Sequence, residues 1–97
     1  MSVVRVPRRI DYGLRVVMYL SLQDPGKCCT FAEIAKQQGV PKKFLDGIIQ
    51  DLIRFGLIKS KRGAFGGYRL ARSRDKISFY QVIEAVDRPV ASNAYTN

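Results

Sequence analysis

Residues 30–55, TFAEIAKQQGVPKKFLDGIIQDLIRF, hold two helical patterns joined by a short turn. Thr30 and Glu33 have the spacing of a capping box, in which a hydroxyl and a carboxyl cover the first free N–H groups of a helix. Gly39 suits the left-handed position that ends a helix, and Pro41 suits the first turn of the next one. Apolar residues then recur at helical spacing at Leu45, Ile48, Ile49 and Leu52, and Gly56 closes the second helix. The stretch therefore predicts a helix-turn-helix.

The second of these helices also carries a polar face. Its donors and acceptors suit base edges and phosphates, and they are Lys42, Lys43, Asp46, Gln50 and Arg54. In a DNA-binding helix-turn-helix the second helix enters the major groove. Two amphipathic helices with a glycine turn also occur in helical bundles, where such a face is simply solvated. This stretch alone leaves both interpretations open.

A basic β-hairpin is predicted directly after the helix-turn-helix. Residues 57–62, LIKSKR, and residues 68–72, YRLAR, read as strands around the loop 63–67, GAFGG. Alternation places Tyr68 and Leu70 on one face of the second strand and Arg69 on the other. The three loop glycines permit tight turns and close approach to another molecule. Any antiparallel ribbon would fit the hairpin alone, but its position after a recognition helix indicates the wing of a winged helix and favours nucleic-acid binding.

The flanking segments complete one domain. Residues 7–22 predict a first helix with a wide apolar stripe: Ile10, Leu14, Val16, Val17, Met18, Tyr19, Leu20 and Leu22. Residues 73–76 predict a polar turn, and Ser78 with Gln81 predicts a second capping box that opens a short helix at 79–86. The expected fold is mostly α with a small β-hairpin, a winged helix-turn-helix at residues 1–90 followed by a polar tail at 91–97.

The charge balance indicates a polyanionic partner. The 97 residues contain 17 Lys and Arg against 8 Asp and Glu, giving a net charge of +9 and a pI of about 10.0. Between residues 54 and 76 lie eight basic residues and one acid. This distribution favours nucleic acid first and an anionic membrane second. No apolar run approaches the roughly 20 residues that span a bilayer, and the N-terminus lacks a signal-peptide pattern, so we expect a cytoplasmic protein without membrane association.

The sequence provides no recognisable catalytic or cofactor-binding equipment. It has no His, no nucleophile elbow and no phosphate-binding glycine loop ahead of a helix. Cys28 and Cys29 are adjacent, and two neighbouring thiols do not complete a zinc or iron–sulfur site. We therefore expect neither an enzyme nor a bound cofactor, and we expect the two cysteines to be small side chains in a helix–helix connection.

Five segments carry a resemblance to a known family. They are DYGLRVVMYL at 11–20, AEIA at 32–35 with Gly39 and Val40, GLI at 56–58 with the Arg62–Gly63 pair, GGYRL at 66–70, and VIEAVD at 82–87. Over residues 9–89 the chain resembles the bacterial winged-helix regulators of the IscR, NsrR and CymR type, the Rrf-two family. The resemblance implies a DNA-binding transcriptional regulator whose recognition helix enters the major groove and whose wing reaches the minor groove.

The resemblance also implies which residues touch double-stranded DNA. Lys43, Asp46 and Gly47 occupy its base-contacting positions, and Arg62 occupies the position of the wing side chain that inserts into the groove. We count six further residues as DNA contacts: Thr30, Lys42, Gln50, Arg54, Lys61 and Arg69. Members of the family often have Tyr-Leu-Glu-Gln where this chain has Phe44-Leu45-Asp46-Gly47, so an operator sequence does not transfer.

Two features of sensing members are missing from these 97 residues. Those members carry three cysteines after the wing helix, which hold an iron–sulfur cluster, and then a long dimerisation helix. Asp11 matches an acidic cluster ligand of NsrR-type members, but without the cysteines we expect it to make a polar contact near the start of the first helix. We expect a weak homodimer through the first helix or the helix at 79–86. The alternative is a winged-helix protein-interaction module without sequence-specific DNA binding, and RNA binding is a more distant one.

Overall fold

A computed structural model describes residues 6–87 of the chain. Within this range the elements are α1 (Arg8–Ser21), α2 (Phe31–Gln38), α3 (Lys42–Arg54), β1 (Ile58–Lys61), β2 (Gly67–Leu70), a 3-10 turn (Arg74–Lys76) and α4 (Phe79–Val86). The two strands form one antiparallel hairpin, with Ile58 opposite Leu70 and Lys61 opposite Gly67. This arrangement confirms the winged helix-turn-helix. The predicted domain boundary at residue 90 and the polar tail at 91–97 lie outside the described residues.

The hydrophobic core lies where α1, α3 and α4 meet. The apolar stripe predicted for α3 is completely buried, with Leu45, Ile48, Ile49 and Leu52 all at 0% exposure. Where α1 crosses α4, a Cβ added to Gly13 would lie 3.1 Å from both γ carbons of Val86, so glycine lets the two helices approach closely. Burying large aliphatic side chains in this way stabilises a domain by roughly 1.5–3 kcal/mol each.

The buried face of α1 is narrower than its sequence predicts. Gly13, Val16, Val17 and Leu20 are buried, and Ile10, Leu14 and Tyr19 pack partly against the core. Met18 and Leu22, which the predicted stripe included, are 53% and 74% exposed. Because α1 is covered by α3 and α4 on one side only, the outer edge of the wide stripe stays in contact with solvent.

The predicted helix ends are largely confirmed. Gly39 and Gly56 follow α2 and α3 with φ of 63° and 74°, in the left-handed region that glycine tolerates. Ser78 and Gln81 form both halves of a capping box at α4. The box predicted for α2 is only half formed, because the Thr30 hydroxyl accepts from the Glu33 N–H at 3.1 Å while the Glu33 carboxylate turns away from the Thr30 backbone.

The strands and the first helix are shorter than predicted. Pro7 and Leu22 are the caps of α1 rather than members of it. Leu57 stays outside β1 because its N–H bonds to the Leu52 carbonyl at 3.0 Å, which closes the end of α3. Strand β2 ends at Leu70, although the Ala71 N–H still donates to the Leu57 carbonyl at 2.9 Å, and the predicted polar turn at 73–76 contains the short 3-10 turn.

The glycines of the wing serve contacts inside the chain. Gly67 has φ of 140°, and a Cβ there would overlap the carbonyl oxygen of Cys29. The approach is this close because Cys29 and Tyr68 exchange two backbone hydrogen bonds, at 2.9 and 2.8 Å. The sequence predicted that the loop glycines approach another molecule. Gly67 instead approaches the α1–α2 connection of its own chain. This bridge fixes β2 of the wing to the helical body, and Cys29 is buried there.

Candidate nucleic-acid interface

The polar face of α3 is presented to solvent as the sequence predicts. All six of its predicted contact residues are exposed: Lys42, Lys43, Asp46, Gly47, Gln50 and Arg54. Lys43, Asp46, Gly47 and Gln50 follow the three- and four-residue spacing of one helix face, opposite the buried stripe. A helix buried on one side and polar on the other can lie in a major groove without losing its place in the core.

The N-terminal end of α3 is well suited to an anion. Pro41 is the N-cap residue and provides no side-chain cap, while its carbonyl accepts from the N–H groups of Phe44 and Leu45, both at 3.0 Å. The first N–H groups of the helix thus remain available beside the ammonium groups of Lys42 and Lys43. Helix N-termini bind phosphate through such free N–H groups and the helix dipole.

An aromatic contact steadies one of these lysines. The Lys43 Nζ atom lies 5.1 Å from the centre of the Phe44 ring, within the range of a cation–π interaction. Phe44 in turn stacks in a tilted arrangement on Tyr12 of α1, with ring centres 5.8 Å apart. The Lys43 ammonium therefore lies over an aromatic ring at the start of α3.

A buried acid that sequence reasoning missed ties α3 to its neighbours. Asp51 is 2% exposed, and it accepts hydrogen bonds from Arg54 at 2.8 Å and from Arg9 of α1. Arg9 also donates through Nε to the Val86 carbonyl of α4 at 3.0 Å. Asp51 could have been noticed in the sequence, because it follows Ile48 by three residues and so lies on the apolar stripe of α3. Arg54, predicted as a DNA contact, uses one nitrogen of its guanidinium for the hydrogen bond to Asp51.

The start of α2 presents the remaining helical contact residue. Thr30 is exposed, and because its oxygen accepts from the Glu33 N–H, its O–H proton stays free to be donated to a phosphate. The Glu33 carboxylate accepts a 2.6 Å hydrogen bond from the Tyr19 hydroxyl, which fixes α2 against α1. These contacts set the direction in which α2 presents Thr30.

Three groups in this α1–α2 contact have shifted pKa values. The hydrogen bond from Tyr19, followed by one from Cys29, lowers the pKa of Glu33 despite its partial burial. The hydrogen bond to Glu33, with burial, raises the pKa of Tyr19 to about 12. Burial, followed by the charge of Glu33, raises the pKa of the Cys29 thiol to about 11. At neutral pH the cluster therefore consists of one carboxylate with two protonated donors.

The three predicted wing residues differ in exposure. Lys61 and Arg62 are exposed at the end of β1, where the hairpin turns, and Phe65 in the turn is 88% exposed. Arg69 is instead half-buried near the base of the hairpin, directly opposite Lys59. Lys61 and Arg62 are thus available at the wing tip, whereas Arg69, on the same face of the ribbon as Lys59 and Lys61, is less exposed.

Comparison with known proteins places this geometry in a family. The model of the Rrf2 family, described as "Iron-dependent Transcriptional regulator", matches residues 6–96. A putative HTH-type regulator of Rhodobacter capsulatus described as rrf2-like is 32% identical over 89 residues, covering 89% of this chain and 59% of the relative. A putative HTH-type transcriptional regulator of Mycobacterium tuberculosis is 34% identical over 89 residues, covering 92% of this chain and 55% of the relative. The chain thus spans little more than half the length of these curated relatives.

Solved structures agree with the sequence match. CymR of B. subtilis, described as the global cysteine regulator, superposes with a TM-score of 0.81 at 26% identity, covering 91% of this chain and 68% of that one. IscR of T. potens gives a TM-score of 0.81 at 28% identity, covering 96% and 72%. The likeness extends over the helices and the wing together, since each covers more than nine-tenths of the chain.

The family's description mentions iron, but the described residues contain no iron-binding site. Within residues 6–87 there is no group of three or more Cys, Asp or Glu side chains placed to hold a metal ion. Asp11, at the position that resembles a cluster ligand, accepts from Arg15 at 3.0 Å, which is the polar contact expected of it. No helix in this part of the chain is long and apolar enough to cross a membrane.

Proposed function

Since the chain belongs to the Rrf2 family of transcriptional regulators, we propose that it binds duplex DNA with α3 in the major groove and the wing tip in the minor groove. Its place of action is the cytoplasm, where bacterial DNA lies. The observation that carries the proposal is the exposed polar face of α3, whose opposite face is completely buried in the core. A surface helix held in this way presents a fixed set of side chains to a groove.

The exposed residues divide into positioning and reading roles. Lys42 and Thr30 lie at the starts of α3 and α2, where side-chain donors and free N–H groups suit phosphates. Lys43 and Asp46 lie one turn apart on α3 and suit base edges, with Asp46 an acceptor for a cytosine amino group. Gly47 adds no side chain, so that the α3 backbone approaches the bases closely. Arg62 suits a narrow, A·T-rich minor groove, whose negative potential attracts arginine.

Selection of bound duplexes from a random pool tests this assignment. Wild type should enrich a defined sequence, and Lys43→Ala and Asp46→Ala should each change the preferred base at one position, since a good base contact gives about 1–3 kcal/mol of discrimination. Arg62→Ala should weaken binding and reduce any preference for flanking A·T pairs. Lys76→Ala, in the 3-10 turn away from both α3 and the wing tip, is the control that removes one charge.

Two outcomes would contradict the proposal in different ways. Unchanged sequence preference in Lys43→Ala and Asp46→Ala would mean that another element reads the bases. No enrichment by wild type would favour the protein-interaction alternative, in which the same surface contacts protein.

Assembly forms a second part of the proposal. One winged helix covers one half-site, so symmetric recognition needs two copies about one helical turn apart. An apolar groove of about 370 Å³ lies between α1 and α4, with Met18 53% and Phe79 67% exposed along it. We propose that a second copy occupies this groove weakly and pairs chiefly on DNA. Sedimentation at micromolar concentration should show monomer for the free protein and two copies per duplex; a stable free dimer would contradict weak pairing.

A further inference from the structure

A second concave surface lies at the base of the wing, away from its tip. A cleft of about 610 Å³ is bounded by the end of α1 and the α1–α2 connection at 20–27, by Lys59 of β1, and by residues 69–75 after the hairpin. Its volume is within the roughly 300–1,000 Å³ typical of small-molecule sites. None of the DNA contacts proposed above requires it, and of the ten residues predicted to contact DNA only Arg69 lines it.

The lining of the cleft is strongly basic. Its five basic residues face two acids, and they are Lys27, Lys59, Arg69, Arg72 and Arg74, against Asp24 and Asp75. Low-dielectric walls around like charges focus the potential of a concave surface and raise the local concentration of counter-ions. The net excess of three positive charges therefore attracts a small molecule with more than one negative charge.

The clearest indication that the cleft binds an anion is the pair formed by Lys59 and Arg69. The register of the hairpin places these two residues directly opposite each other. Like charges in directly opposed positions destabilise a ribbon. Among residues 6–87 the ion pairs involve Arg9, Arg15 and Arg54, so neither Lys59 nor Arg69 is compensated by a carboxylate in this part of the chain. An anion between them would remove the repulsion.

The shape of the cleft favours a small ligand over a nucleic acid backbone. Arg74 crosses from the 3-10 turn to the end of α1, where its Nη1 atom donates to the Ser21 carbonyl at 3.4 Å. This contact joins the 3-10 turn to the end of α1, two of the elements that line the cleft with Lys59 and Arg69. A concave surface of this size admits a small anion, whereas a duplex presents its phosphates on a wide convex surface.

We propose that this cleft binds a small free polyanion, a molecule that carries a phosphate group or clustered carboxylates, between Lys59 and Arg69. Such a ligand would link the base of the wing to the end of α1, beside the Cys29–Tyr68 backbone bridge. In so doing it would change the position or mobility of the wing tip. The effect on duplex affinity rests on the proposed function, and it is reciprocal: the ligand and the duplex change each other's affinity by the same factor. The binding of the anion itself does not depend on the proposed function.

A titration of the 97-residue protein with pyrophosphate tests the site directly. At constant ionic strength, backbone amide signals of residues 59, 69 and 72 should shift along a saturable curve in a nitrogen–proton correlation spectrum. Lys59→Gln combined with Arg69→Gln should weaken pyrophosphate binding by at least about tenfold, because charge-assisted hydrogen bonds are lost. Lys36→Gln removes a charge from exposed α2, outside the cleft, and should change the affinity by less than about twofold. Lys27→Gln, in the connection rather than the ribbon, provides a second variant if the double variant folds poorly.

Three results would overturn the proposal. These are shifts that do not saturate, an equal loss of affinity in the cleft and Lys36→Gln variants, and displacement of pyrophosphate by duplex in simple competition, which would make the cleft a backbone contact. The proposal predicts instead that pyrophosphate binds in the presence of saturating duplex, with a changed affinity. If the protein binds no duplex at all, the proposed function fails while the pyrophosphate titration still decides the cleft.

Discussion

Asp51 accepts a 2.8 Å hydrogen bond from Arg54 although its own side chain is only 2% exposed. The other carboxylate oxygen accepts a hydrogen bond from Arg9, which also donates to the Val86 carbonyl. One buried acid on the recognition helix thus joins α3 to α1 and α4. Since breaking such a pair leaves uncompensated charge near the core, the orientation of α3 depends on this network.

The first prediction concerns Asp51→Ala. We expect this variant to lower the free energy of unfolding by about 3 kcal/mol, at the lower end for a broken buried ion pair because Arg9 and Arg54 regain water at their exposed ends. Asp46→Ala, on the exposed face of the same helix, should stay within about 0.5 kcal/mol of wild type. Urea unfolding followed by circular dichroism measures both. Equal stability of the two variants would show that the network does not hold α3.

The second prediction concerns Gly67→Ala. This residue combines φ of 140° with a position where a Cβ would overlap the Cys29 carbonyl oxygen. The variant should lose at least about 2 kcal/mol of stability, from backbone strain and the broken bridge. Gly26→Ala has φ of 84° but no atom within 4 Å of the added Cβ, so it isolates the cost of strain and should lose less. If Gly26→Ala is equally destabilised, the contact with Cys29 is not what requires glycine.

A third prediction separates stability from DNA contact at Gly47. The nearest atom to a Cβ there is an Arg9 nitrogen at 3.7 Å, so alanine fits without strain. Gly47→Ala should raise the free energy of unfolding by about 0.8–1 kcal/mol through helix propensity. If the backbone at Gly47 approaches the bases, the same variant should bind its selected duplex more weakly. Thermal unfolding and duplex titration of one sample measure the two effects, and a stabilised variant with unchanged DNA affinity would argue against a base contact at this position.

The fourth prediction is a pH dependence centred on Glu33. Its pKa is lowered in the folded protein by the Tyr19 hydrogen bond, so its contribution to stability is complete above its ordinary value of 4.5 and is lost as pH falls through the lowered pKa. The pKa values of Cys29 and Tyr19 are raised to about 11 and about 12, so their contributions are complete below pH 9 and are lost as pH rises through those values. Glu33→Gln should flatten the acid limb and the Tyr19 part of the alkaline limb of the stability profile measured by urea unfolding, whereas burial should preserve most of the Cys29 part. Limbs as steep as those of wild type would show that Glu33 is not the group that couples them.

Most of the fold could be predicted from local signals in the sequence. Thr30, Gly39, Gly56 and the Ser78–Gln81 pair mark helix ends through contacts within a few residues, so each could be recognised from its neighbours. The burial of the α3 stripe followed from its 3.6-residue period in the same way. The polar face opposite it was predictable for the same reason.

The contacts that join distant segments were beyond such reasoning. Asp51 is paired with Arg9 across 42 positions, and Gly67 is required by Cys29 across 38, so neither constraint has a local signature. The spacing of Glu33 from Thr30 predicted a capping residue, but the Glu33 carboxylate instead accepts a hydrogen bond from the Tyr19 hydroxyl of another helix. The pairing of Arg69 with Lys59 likewise depends on the register of the hairpin, which the residues around Arg69 do not indicate.

The salt dependence of duplex binding tests the central claim most directly. With the selected duplex, log K should fall linearly with log salt, with a slope of about −0.9 for each phosphate that the protein neutralises. Arg62→Ala, which removes a groove contact at the wing tip, should weaken binding and make this slope shallower, whereas Lys76→Ala should leave it unchanged. Binding that ignores salt, or no binding at low salt, would contradict the assignment of α3 and the wing tip as a DNA-binding surface.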